Sequence, residues 1–125
     1  MSVEVSGPLF DGRAERALAA AEDVAASRAG DLVRDQLREM VRQKAHHDTG
    51  SYESNITVQR AANTSIVTDR GSVYGAWLEG GTRRNDSTGF PGWSHFRTIA
   101  QQLSEAGTVV AIMQEELDKR RGDLG

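Results

Sequence analysis

At 125 residues with 38% hydrophobic and 26% charged content, the chain has the length and balance of one soluble globular domain. The formal net charge of −3 argues against general binding to duplex DNA, which needs a basic footprint. With no cysteine, disulfide frameworks, cysteine-ligated zinc and thiol chemistry are excluded.

The opening "MSVEVSGPLF" has neither a basic n-region nor a continuous apolar core, so no secretory signal is expected. Residues 1–12 read as an N-terminal arm, with Asp11 placed to cap the helix that follows and Glu15 in its first turns. Residues 13–45 read as a long helix rich in Ala, Arg, Glu, Leu and Gln. Its apolar stripe runs through Leu18, Ala21, Ala25, Ala29, Leu32, Leu37 and Met40. The first half of that stripe is mostly alanine, which buries little area per residue and needs cover from elsewhere. Gly30 costs about 1 kcal/mol against alanine in a helix interior, so a bend or break is expected there.

After the helix end at "HHDTGS", the segment "SYESNITV" alternates, with Tyr52, Ser54, Ile56 and Val58 on one face. "AAN" reads as a turn, "TSIVTD" as a second strand and "DRGS" as another turn. "VYGAWLE" reads as a third strand. Residues 51–79 are therefore expected to form an antiparallel meander of three strands, or four. Residues 80–93, "GGTRRNDSTGFPGW", read as a long irregular loop. Residues 94–121 read as the final helix, with Ser94 as its N-cap and Phe96, Ile99, Leu103, Ala106, Val110, Met113 and Leu117 as a seam of period 3.5. Unbroken, it would span about 40 Å; Gly107 is the place for it to bend. Residues 122–125 form a short tail that frays. The expected fold class is α+β: long helix, meander, loop, long helix. No apolar run approaches the roughly 20 residues of a membrane span.

Candidate chemistry is sparse. His46, His47 and Asp48 are adjacent, and neighbours on a helix do not converge on a metal; a polar helix end accounts for them. His95 is far off in sequence. Glu115, Glu116 and Asp118, like Glu22 and Asp23, read as solvated helix faces. Glu79 closes a strand beside Trp77 and suits a salt bridge to Arg83 or Arg84, within the chain or across to a neighbour, better than a general base. No nucleophile elbow or phosphate-cradling glycine loop is present. No catalytic residue, metal or cofactor is expected. Arg83 and Arg84 beside Trp77 and Phe90 loosely suit a single-strand platform, but Asp86 follows and there is one such cluster.

The aromatics are more informative. Five of the seven, Tyr74, Trp77, Phe90, Trp93 and Phe96, fall between residues 74 and 96. Trp and Arg on a glycine-bearing loop are the composition of an interface anchor. The candidate subunit-interface residues are Trp77, Glu79, Arg83, Arg84, Phe90 and Trp93.

"TGSYESNITV", "VYGAWLEGGTRRN" and "FPGWSHFRTIAQQL", in that order and spacing, resemble the small neck and tail-component proteins of long-tailed bacteriophages, the gene-product-ten-like family of lambdoid phages. The positions that carry the likeness are Thr49, Gly50, Tyr74, Glu79, Gly81 and Thr82, and it extends over roughly residues 7 to 117. "GPLFDGRA" and "WLEGGTRRN" resemble versions from phages of actinobacteria. Gly80 departs from the family, which more often has a bulky residue there. The resemblance implies a non-catalytic structural subunit of the virion neck, assembled in the host cytoplasm as a homo-oligomeric ring. Its partners would be neighbouring connector and tail proteins, with passive contact to genomic DNA in the channel and none to membrane. The alternatives are a tail terminator capping the tail tube and, more distantly, a nucleic-acid-binding protein.

Overall fold

The computed structural model of the chain describes residues 2–3, 11–44, 51–61, 63–72 and 75–124; the side chains of Ser51 and Trp77 lie outside that description. The elements in order are α1 (Arg13–Lys44), α2 (Ser51–Asn55), β1 (Thr57–Ala61), β2 (Thr64–Thr68), α3 (Gly75–Glu79), α4 (Arg83–Thr88), α5 (His95–Glu105), α6 (Thr108–Lys119) and α7 (Arg121–Leu124). The molecule is mostly helical, with a long N-terminal helix, a two-stranded antiparallel sheet and C-terminal helices.

α1 is the spine. The Asp11 carboxylate accepts the Arg13 N–H at 3.0 Å, satisfying one of the open donors at the helix start, as the sequence suggested. The helix runs through Gly30 without a break. The residue is glycine for space: a Cβ there would lie 2.7 Å from the Ser65 Cβ and 3.1 Å from the Val58 Cγ1. The hairpin therefore seats on the helix backbone, and the Ser65 hydroxyl donates to the Ala26 carbonyl at 2.7 Å.

The inward stripe differs from the expected one. Ala17, Ala21, Ala25, Gly30, Leu37 and Val41 are buried, whereas Leu18 is exposed. The alanine-rich half is covered by α6 and α7 of the same chain. Small side chains permit that close approach.

The segment "SYESN" is a helical turn, not the start of a strand. Tyr52 and Ile56 are both buried, and residues four apart share a face in a strand and in a helix alike. Alternation could not separate the two; the exposed Ser54 fits the helix. β1 and β2 pair with Val58 opposite Val67 and Arg60 opposite Ser65. The expected third strand is not formed by Gly75–Glu79, which is helical; residues 73 and 74 lie outside the described residues.

The C-terminal helix divides at Gly107, which takes the left-handed conformation at φ 64°. The break rotates the second half, so the 3.5-residue seam does not continue. Ile112 and Glu116 turn inward and Val110 is 74% exposed. Leu37, Val41, Tyr52, Ile56, Ile99 and Leu103 form the main core, with Leu78, Trp93 and Phe96 packed against it.

Glu116, expected on a solvated face, is 2% exposed. It accepts from Arg28 Nη1 at 3.0 Å, Lys119 Nζ at 2.8 Å and Arg120 Nη1 at 3.3 Å. Arg28 lies three residues beyond Ala25 on the inward stripe, which was the available signal for a buried acidic partner.

Candidate functional site

Residues 80–93 were expected to be irregular, but they enclose a capped helix. Thr82 is the N-cap of α4 in a capping box: its hydroxyl oxygen accepts the Asn85 N–H, and the Asn85 side chain accepts the Thr82 N–H at 2.9 Å. The side-chain amide of the buried Asn85 also donates to the Phe90 carbonyl at 2.7 Å. Gly89 closes the helix in the left-handed conformation, its N–H bonding to the Asn85 carbonyl. One asparagine thus ties the start, middle and exit of the segment together.

The base is closed by backbone contacts. The Trp93 N–H donates to the Leu78 carbonyl, and the Ser94 N–H to the Glu79 carbonyl at 3.0 Å. Gly80 and Gly92, both at positive φ, cross directly between these bonds. The result is a loop whose ends meet and whose tip holds its own helix.

Glu79 sits where the loop leaves α3, and its carboxylate is directed at the start of α5. It accepts the Phe96 N–H at 2.9 Å and the Arg97 N–H at 3.1 Å. This is the cap that Ser94 was expected to provide. Ser94 lies at φ 50° and makes no side-chain cap; its hydroxyl reaches the Glu79 carbonyl instead. An anion at a helix N-terminus also complements the helix dipole.

Behind the loop lies a buried polar chain. The Tyr52 hydroxyl is 3.0 Å from Asp69 Oδ2 and 2.7 Å from His95 Nε2. His95 is fully buried, and its Nδ1 lies 3.2 Å from Glu79 Oε2 without an aligned hydrogen bond. Burial pushes the His95 imidazole below its ordinary range, opposed by the nearby Glu79 and Asp69 carboxylates. Burial likewise pushes the Tyr52 phenol up, reinforced by Asp69. Sequence reasoning missed Tyr52, Asp69 and His95 as a group, because they lie on three elements that no motif connects.

The candidate interface residues divide. Arg83 and Arg84 lie on the exposed side of α4. Phe90 and Trp93 are half-buried and pack edge to face at 6.4 Å, with Trp93 also edge-on to Tyr52 at 6.5 Å. These two brace the loop against the core. Trp77 is on α3, and its side chain falls outside the described residues, as do Tyr74, Thr49, Gly50, His46, His47 and Asp48. Among the described residues no group of three or more His, Asp or Glu could hold a metal ion, and no helix is long and apolar enough to cross a membrane.

The chain matches no family model, no curated protein and no solved structure.

Proposed function

We propose that the chain is a ring-forming structural subunit of the neck of a long-tailed bacteriophage, joining the capsid's portal region to the tail. One observation carries the reading: the 80–93 loop is closed at its base, capped within, and presents α4 with Arg83 and Asp86 to solvent. An element ordered before association loses less conformational freedom on binding, which suits a clasp repeated around a ring. The order and spacing of the quoted sequence motifs support the phage assignment.

A closing ring needs two different patches of one subunit to meet. The second is the apolar strip where α1, the hairpin, α5 and α6 leave Val33, Val67, Phe96, Val109 and Val110 along open grooves. Val110 at its rim is the most exposed large hydrophobic residue of the described helices. No catalytic step belongs to this reading.

The experiment compares Arg83→Glu and Val110→Asp with the parent chain in particle assembly and in melting temperature of the isolated subunit. Both variants should melt within about 2–4 °C of the parent and fail to enter particles. Normal incorporation of both would overturn the clasp. A ring located at the tail tube's end in a virion map would reassign the chain as a tail terminator.

A further inference from the structure

One end of the molecule gathers guanidinium groups whose donors the fold leaves open. Arg13 and Arg16 from the first turns of α1, and Arg120 from the junction of α6 and α7, line one open cleft of about 260 Å³ together with Ala17, Ala20 and Asp123. Asp123 is the one carboxylate in that lining, and among the described residues no ion pair joins it to any of the three arginines. Three positive groups thus face one negative group, in a chain whose formal net charge is −3.

A guanidinium carries five N–H donors. Arg13 donates from Nε to Asp11 Oδ2 at 2.7 Å, which leaves both of its terminal nitrogens without a bond among the described residues. Arg120 donates from Nη1 to the Glu116 carbonyl at 2.9 Å and to Glu116 Oε1 at 3.3 Å, which leaves Nε and Nη2. The Arg16 side chain makes no hydrogen bond or ion pair among the described residues. It folds back over Gly12, where an added Cβ would lie 2.9 Å from its Nη1. The missing side chain at that position gives the Arg16 guanidinium its place.

We propose that Arg13, Arg16 and Arg120 form a binding site for a phosphate-bearing anion. The planar fork of a guanidinium matches two oxygens of a phosphate; α1 supplies two such forks and the α6–α7 junction a third. A bound anion relieves the mutual repulsion of the three cations. The Asp11 carboxylate already fills the start of α1 by accepting the Arg13 N–H, so side chains, not the helix end, make the site. The cleft is open to water, so added salt weakens the attraction. This site stands whether or not the chain forms a ring.

The test is calorimetric titration of the full chain with pyrophosphate near neutral pH, against chloride of matched ionic strength. The expected result is saturable binding that chloride does not reproduce. Arg16→Ala should weaken it about tenfold and leave the melting temperature of the anion-free chain unchanged, because no contact within the fold is lost. Arg16→Lys should retain part of the affinity. Arg121→Ala removes a neighbouring charge that pairs with Asp118 outside the cleft and should bind as the parent does. The proposal is overturned by the absence of saturable binding, by parental affinity in Arg16→Ala, or by an equal loss in Arg121→Ala, which would reduce the effect to diffuse attraction. A short single-stranded oligonucleotide then identifies the source of the phosphate. Displacement of pyrophosphate at equal phosphate concentration assigns it to a nucleic-acid backbone, and retention assigns it to a free anion; in both cases the phosphate group is what the cleft recognises.

Discussion

Gly80 and Gly92 meet backbone to backbone at the base of the 80–93 loop. A Cβ on Gly92 would fall 2.5 Å from the Gly80 Cα and 2.7 Å from the Glu79 carbonyl oxygen, at a φ of 86° that side chains rarely adopt. Gly89 shares the positive φ, at 72°, but has open space where its Cβ would be. Gly89→Ala should cost only the backbone term, about 1–2 kcal/mol. Gly92→Ala should cost more, because the clash must part the closing bonds as well. Chemical denaturation of the two variants measures the difference; equal losses would mean that the crossing does not hold the loop.

Gly30 and Ser65 give a test with an opposite local expectation. Alanine at an exposed helix interior gains about 1 kcal/mol over glycine. Here Gly30→Ala should destabilise, since its Cβ meets the Ser65 Cβ at 2.7 Å. Ser65→Gly in the same chain should recover part of the loss, giving a non-additive double-mutant cycle. Ser65→Ala keeps the clashing Cβ and should not. Additivity between Gly30→Ala and Ser65→Gly would show that hairpin and helix do not touch there.

Glu79 holds the start of α5 through the Phe96 and Arg97 amides. Glu79→Ala should therefore lower the stability of the isolated subunit by about 0.5–2 kcal/mol, the range of a lost N-terminal cap. Glu79→Gln retains one acceptor oxygen and should cost less. A residue serving only contact between subunits would leave the isolated chain's melting temperature unchanged in both variants.

Glu116 predicts the acid limb of stability. Its carboxyl is held below the ordinary 4.5 by hydrogen bonds from Lys119 first, then Arg120 and Arg28, against the opposing effect of burial. A depressed folded-state value means that the unfolded chain takes up the proton first. The contribution is thus complete above about 4.5 and lost as pH falls through the folded value. Glu116→Gln should lower the melting temperature at pH 7 and flatten its decline below pH 4.5. Parallel acid limbs in the two proteins would mean that α1 and α6 are joined by packing alone.

The two long helical regions, the cap at Asp11, the second strand and the break at Gly107 were legible in the sequence because each rests on local chemistry. Composition sets helix propensity over many residues, an aspartate beside a helix start finds open amides, and a glycine tolerates the left-handed turn that ends one. Of the aromatics concentrated between residues 74 and 96, Trp93 and Phe96 pack against the core of their own chain and Phe90 packs on Trp93.

What the sequence could not settle were the choices made by distant partners. Tyr52 and Ile56 are four apart, a spacing that serves a strand and a helical turn equally, and only their seat in the core decided for the turn. Gly30 read as a weakness of α1, yet the hairpin some 30 residues on requires the missing side chain. Glu116 read as solvated until the turn at Gly107 rotated it toward Arg28. The buried polar residues Tyr52, Asp69, Glu79 and His95 carry no common motif, because they are brought together by the packing of α2, the turn after β2, α3 and α5. Short-range sequence pattern determined where the long helices form. Tertiary burial determined which polar groups lost water, and so which of them had to find one another.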